Sequence, residues 1–170
     1  MSKGTAEYLG VSDHHRTYLL FPGVFVAGAI KKWNMLPFLL QHDAVQPVGF
    51  LIKEKDITKP WSEEETLLFI PDTAYVENKF QGVTLVAVEC NNIAEILSRN
   101  ILEGHIPAVV GRRVRRNHMS LENLIQMLKA NDLSRCRAIY LMHLSDGNSD
   151  EKRMRQQIQE ATGIPTYALK

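Results

Sequence analysis

The stretch Ile139–Lys170, IYLMHLSDGNSDEKRMRQQIQEATGIPTYALK, decides the fold. Ile139-Tyr140-Leu141-Met142 is an apolar run of the length of a buried strand, and it ends at His143. A polar turn follows, Leu144 to Asp150, in which Gly147 and Asn148 tolerate positive φ. Ser149 or Asp150 is placed to cap a helix whose Met154, Ile158 and Ala161 share one face. Thr162-Gly163-Ile164-Pro165 stops that helix, and Thr166–Leu169 reads as a closing strand. His143 therefore stands at the C-terminal end of a strand, where a loop leads into a helix. Open α/β sheets hold ligands at that position.

Outward from this stretch the pattern repeats. Thr66–Ile70 is an apolar run stopped at Pro71-Asp72-Thr73, and Leu85–Glu89 is one stopped at Cys90-Asn91-Asn92. Tyr18–Phe21, Val24–Ile30, Trp33–Leu40 and Pro47–Ile52 read as further strands, with a turn at Pro22-Gly23 and His42 in the loop after the third. Lys53–Glu65 reads as a charged hairpin loop, Ala6–Leu9 as a short helix stopped by Gly10, and Ile93–Asn100 as a helix. Ser120 is the expected N-cap of a helix with Leu121, Leu124, Ile125 and Leu128 as its apolar stripe, ended by Asn131-Asp132. Strand ends thus carry His42, Asp72, Glu89 and His143, each followed by a loop. Apolar strands feeding ionisable loop residues predict a layered α/β protein with a site along one sheet edge.

The basic run GRRVRRN, Gly111–Asn117, belongs to no predicted element. Arg112, Arg113, Arg115 and Arg116 read either as a solvated face or as phosphate contacts beside His118. No aromatic residue is interleaved, which argues against a stacking platform for single-stranded nucleic acid. Asp13-His14-His15 reads as a solvated loop, and His105 as a loop histidine.

The chain has 170 residues, enough for a single domain over 1–170, and is 45% hydrophobic and 23% charged, the balance of a globular protein with a core. A net charge of +1 supplies no global field toward nucleic acid or a membrane. Cys90 and Cys136 read as reduced structural residues, in keeping with a cytoplasmic protein. No apolar run approaches the roughly 20 residues of a membrane span, and the N-terminus carries no apolar signal region.

Several segments, in order, resemble metallo-β-lactamase-fold hydrolases, and most closely a bacterial branch with phosphodiesterase and exonuclease-like members. LLQHDAVQPVGFLI resembles the segment of the lone His ligand, at His42. TLLFIPDTAYV resembles the segment of the bridging Asp, at Asp72, and IYLMHLSD that of the last His, at His143. VAVECN and RNHMSLENL also match this branch.

The resemblance implies a partial αβ/βα sandwich with mixed sheets and flanking helices, spanning the C-terminal two-thirds of the family fold. It implies a metal-dependent hydrolase of phosphodiester bonds, acting on a phosphate-containing substrate such as nucleic acid. Zinc or manganese would sit on His42, Asp72 and His143. Glu89, Arg116, His118 and Ser145 would meet substrate, with Asp72 and His118 catalytic.

The family's first ligand block, H-x-H-x-D-H, has no counterpart here, and SKGTAEYLG resembles the segment that follows it. The expectation is an incomplete site that holds metal weakly, at one position, or not at all. An uncovered sheet edge or apolar face is expected too, filled by a homo-oligomer or by a partner chain carrying the absent segment. Two other readings stand beside the hydrolase: a non-catalytic binding or assembly module, and a fragment of a longer enzyme.

Overall fold

Among the described residues, seven strands form one sheet in chain order, β1 to β7. The structure, a computed structural model, describes residues 1–30, 33–55, 58, 60 and 63–169. The strands are β1 (Val26–Ile30), β2 (Trp33–Leu39), β3 (Val48–Glu54), β4 (Thr66–Ile70), β5 (Leu85–Glu89), β6 (Ala138–Met142) and β7 (Thr166–Ala168). The helices are α1 (Lys3–Tyr8), α2 (Ala94–Leu102), α3 (Ala108–Asn117), α4 (Leu121–Lys129) and α5 (Glu151–Thr162). β1 to β4 pair antiparallel, and β4 to β7 pair parallel. This is the mixed α/β architecture expected from alternating apolar strands and amphipathic helices.

The apolar side chains decide which sheet face is covered. Leu68 and Ile70, Val86 and Val88, and Ile139 and Leu141 alternate along their strands onto one face, where all are buried. They share a core with Leu121, Leu124, Met127 and Leu128 of α4 and Met154 and Ile158 of α5. Ile125 and Ala161, expected on these stripes, are half-buried. The caps are local: Ser120 Oγ accepts from Asn123 N at 3.2 Å, and Asp150 Oδ1 accepts from Arg153 N at 2.9 Å. Gly163, at φ 72°, ends α5 in the left-handed region, where glycine carries no Cβ penalty.

The opposite face carries Leu67, Phe69, Leu85 and Tyr140, all half-buried, with Tyr140 stacked on exposed Tyr167 at 5.5 Å between ring centroids. A cavity of about 500 Å³ opens on it, lined by Trp33, Met35, Ile52, Leu67 and Leu85 beside the Glu65–Arg137 ion pair.

Three local expectations are corrected. Tyr18–Phe21 is not a strand: only Leu20 makes a bridge, to Ser2, and exposed Tyr18 and Phe21 bury too little to hold a ladder. The basic run is helical, forming most of α3. Gly111 is buried there against α2, where a Cβ would lie 2.2 Å from Ile101 Cδ1, so the glycine lets the two helices touch. Positive φ in the loop after β6 falls on His143 (φ 54°) and not on Gly147 or Asn148. The expected 53–65 hairpin is seen at its base, where Lys53 pairs with Thr66, while residues 56, 57, 59, 61 and 62 lie outside the described residues.

Candidate metal centre

Strand direction brings distant residues to one edge. β2 runs antiparallel to β3 and β3 to β4, so β2 points the same way as β4, β5, β6 and β7. The loops carrying His42, Asp72 and His143, and the last residue of β5, Glu89, therefore leave the sheet at a common edge. Backbone and side-chain hydrogen bonds join these ends. Gln41 N donates to Thr73 Oγ1 at 2.9 Å, and Ala74 N to Gln41 O at 2.9 Å, tying the end of β2 to that of β4. Cys90 N donates to Met142 O at 3.0 Å, and Ser145 N to Asn91 O at 2.9 Å, tying β5 to β6. Asn91 Nδ2 donates to His143 O at 3.1 Å, holding the left-handed turn that aims this histidine. Histidine is among the non-glycine residues that enter that region more readily.

Glu89 is the hub. Its side chain has no solvent exposure, yet both oxygens are occupied. Oε2 accepts from Thr73 N at 2.9 Å and Met119 N at 3.0 Å. Oε1 lies 2.5 Å from His118 Nδ1 and 2.9 Å from His143 Nδ1. A buried carboxylate is tolerable only when paired and hydrogen-bonded in this way. His143 Nδ1 also lies 2.8 Å from Asp72 Oδ1. The hydrogen bond to Glu89 raises the pKa of His118 above its ordinary 6.5, against the opposing effect of burial.

Asp72, Glu89, His118 and His143 each offer a ligand atom, and these atoms all lie within 4.8 Å of one another. Two imidazoles and two carboxylates form a nitrogen and oxygen donor set that suits zinc or manganese. Glu89 and His118, read from the sequence as substrate contacts, thus join Asp72 and His143 in one cluster. Thr73, Asn91 and Met119, which the sequence reading passed over, hold it through backbone and amide bonds. The signal for Glu89 was present: a carboxylate closing the apolar strand LVAVE has to be paired.

His42 stands beside the cluster, outside the four-residue group. Its ring centroid is 5.4 Å from that of His118, which is 5.2 Å from that of His143. His42 Nδ1 lies 3.1 Å from Ala44 N and 3.3 Å from Asp43 Oδ1; a proton on Nδ1 directed at that carboxylate would leave the other ring nitrogen free to bind a metal. Asp43 lies next to it and receives Arg113 Nε at 2.9 Å, which lowers the pKa of its carboxyl group. Arg112 and Arg116 are exposed on α3 and make no ion pair among the described residues. Ser145 Oγ accepts from Asn148 N and Nδ2 at 3.3 and 3.1 Å. Asp13, His14, His15 and His105 are exposed and are not members of this group.

Sheet and flanking helices have the metallo-β-lactamase type of fold, and the edge carries a candidate metal centre. The chain is similar to the metallo-β-lactamase-fold protein YhfI from Bacillus subtilis, with a TM-score of 0.62 and 12% identity over 90% of this chain and 52% of that one. It is also similar to a Parabacteroides distasonis protein titled as a metal-dependent hydrolase, with a TM-score of 0.60 and 9% identity over 98% of this chain and 61% of that one. The chain thus spans about half to three-fifths of the length of these structures. No protein-family model and no curated protein matches the sequence. Among the described residues no helix is long and apolar enough to cross a membrane.

Proposed function

We propose that this chain is a metal-dependent hydrolase of phosphodiester bonds, of the phosphodiesterase and exonuclease-like kind. The observation that carries the reading is the meeting of Asp72, Glu89, His118 and His143 at one sheet edge. In this reading Asp72 and His143, with His42 beside them, hold zinc or manganese. The ion would supply Lewis-acid activation of the phosphoryl group and of a water. Glu89 orients instead of ligating, since its oxygens already serve two amides and two imidazoles.

His118 has one ring nitrogen committed to Glu89, and the pair keeps the imidazole protonated to higher pH. Its other nitrogen is then able to donate a proton to the departing ester oxygen. The guanidinium groups of α3, Arg116 among them, support a phosphate-containing substrate, because that helix ends directly at His118. Ser145, in the loop after His143, borders the same substrate.

Metal content of the purified protein and hydrolysis of bis(p-nitrophenyl) phosphate with added Mn²⁺ or Zn²⁺ test this reading. Stoichiometric metal and turnover lost in Asp72→Ala are expected. Metal-free protein without turnover under either ion would overturn it.

The proposal extends to assembly. The half-buried face of Leu67, Phe69, Leu85 and Tyr140 is where a second copy, or a partner chain bearing an H-x-H-x-D-H segment, would pack. A binding or assembly module without turnover is the competing reading, and that same face favours it.

A further inference from the structure

We infer that the site selects a phosphate ester whose alcohol part is rich in hydrogen-bond donors and carries no second anion, an inference that rests on the phosphodiester reading above. A cavity of about 640 Å³ opens directly beside His143, between the loop after β6, the start of α5 and the end of β7. His143, Ser145, Asp146, Ser149, Glu151 and Leu169 line it. Its charged side chains are both carboxylates. Glu151 is partly offset by Arg155 at 3.3 Å, whereas Asp146 is exposed and makes no ion pair among the described residues. Ser149 Oγ donates to Ser145 O at 2.6 Å, so that hydroxyl proton is already used. Apart from the Ser145 hydroxyl, whose oxygen accepts from Asn148, the polar side chains of the loop and of α5 therefore offer acceptors and negative charge.

The other flank of the cluster has the opposite sign. There Arg113 of α3 is anchored on Asp43 beside His42, and its helix carries three further arginines. A phosphoryl group at the cluster would thus have guanidinium groups on the β2 side and carboxylates on the β7 side. Hydroxyls or an ammonium would be held in the cavity, and a carboxylate or second phosphate turned away.

Titration calorimetry with Mn²⁺ present, using methyl phosphate, glycerol 1-phosphate, phosphoethanolamine and phosphoglycolate, tests this. Phosphoethanolamine should bind about fivefold or more tighter than methyl phosphate, and phosphoglycolate weaker by a similar factor, the scale of one charge pair at contact in water; glycerol 1-phosphate should bind about fivefold tighter, the scale of one net hydrogen bond. Asp146→Asn should erase the phosphoethanolamine preference and the phosphoglycolate penalty, and an unchanged melting temperature would show that the variant is folded. A preference for glycerol 1-phosphate that persists in this variant would assign the hydroxyls to the rest of the lining; its loss along with the other would make Asp146 the acceptor for hydroxyl and ammonium alike. Methyl phosphate binding with no discrimination among the four overturns the inference and leaves the phosphodiester reading intact. No binding of methyl phosphate, together with no hydrolysis of bis(p-nitrophenyl) phosphate, overturns that reading and this inference with it.

Discussion

Glu89 Oε1 lies 2.5 Å from His118 Nδ1, joining the end of β5 to the residue that closes α3. The pair is partly sheltered, with the carboxylate fully buried and the histidine side chain 20% exposed. This contact raises the pKa of His118, and the direction fixes a pH dependence. A raised folded-state pKa adds stability that is fully present below the ordinary 6.5 and is lost as pH climbs through the higher folded value. An NMR titration of the metal-free protein should place the His118 midpoint above 6.5, and Glu89→Gln should bring it down. Equal midpoints in the two proteins would remove the pairing argument.

Glu89→Ala should cost more than Glu89→Gln. Alanine leaves Thr73 N and Met119 N without their acceptor, and each buried unsatisfied group costs about 1–3 kcal/mol. Glutamine keeps an oxygen for at least one of them. Urea unfolding should therefore rank wild type, Glu89→Gln and Glu89→Ala in falling order of midpoint.

Asp72 and His143 are about half exposed, so their alanine variants should change stability by roughly 0.5 kcal/mol or less. Metal content, measured by elemental analysis after dialysis, should instead fall sharply in both. Loss of fold in place of loss of metal would show that these side chains serve the scaffold.

Gly49 faces Phe38 across the β2–β3 ladder, and a Cβ there would lie 2.6 Å from Phe38 Cζ and 3.1 Å from Phe69 O. The ring is buried against the core and has little room to withdraw. Gly49→Ala should destabilise by about 1–3 kcal/mol through overpacking, read as a lower unfolding midpoint. A neutral result would mean that the ring repacks freely.

The face of Leu67, Phe69, Leu85 and Tyr140 predicts association. Light scattering should give a mass above that of one chain, and Leu67→Glu should lower it. A monomer at every concentration would end the assembly proposal.

Much of this protein was legible before folding was considered. The apolar runs at 66–70, 85–89 and 139–142 are strands because short uninterrupted apolar segments fit a buried parallel sheet. Ser120 and Asp150 cap helices because that requirement is met within a few residues of chain. The Tyr18–Phe21 run failed because a strand needs a partner, and only Ser2 supplies a bridge. α3 was missed because its buried positions are Gly111 and Asn117 while Val109 and Val110 are exposed, so it carries no apolar period to read.

The ligand-type residues at strand ends could be named from the sequence, since each follows an apolar run. Which of them meet was decided by tertiary structure. The alternating strand directions put the loops at 42, 72 and 143 and the end of β5 on one edge. Burial of Glu89 then drew in His118 and His143 as its partners and left His42 alongside. Side-chain type and local period are written residue by residue, whereas a carboxylate's partners depend on which backbone amides and imidazoles the folded chain carries to it.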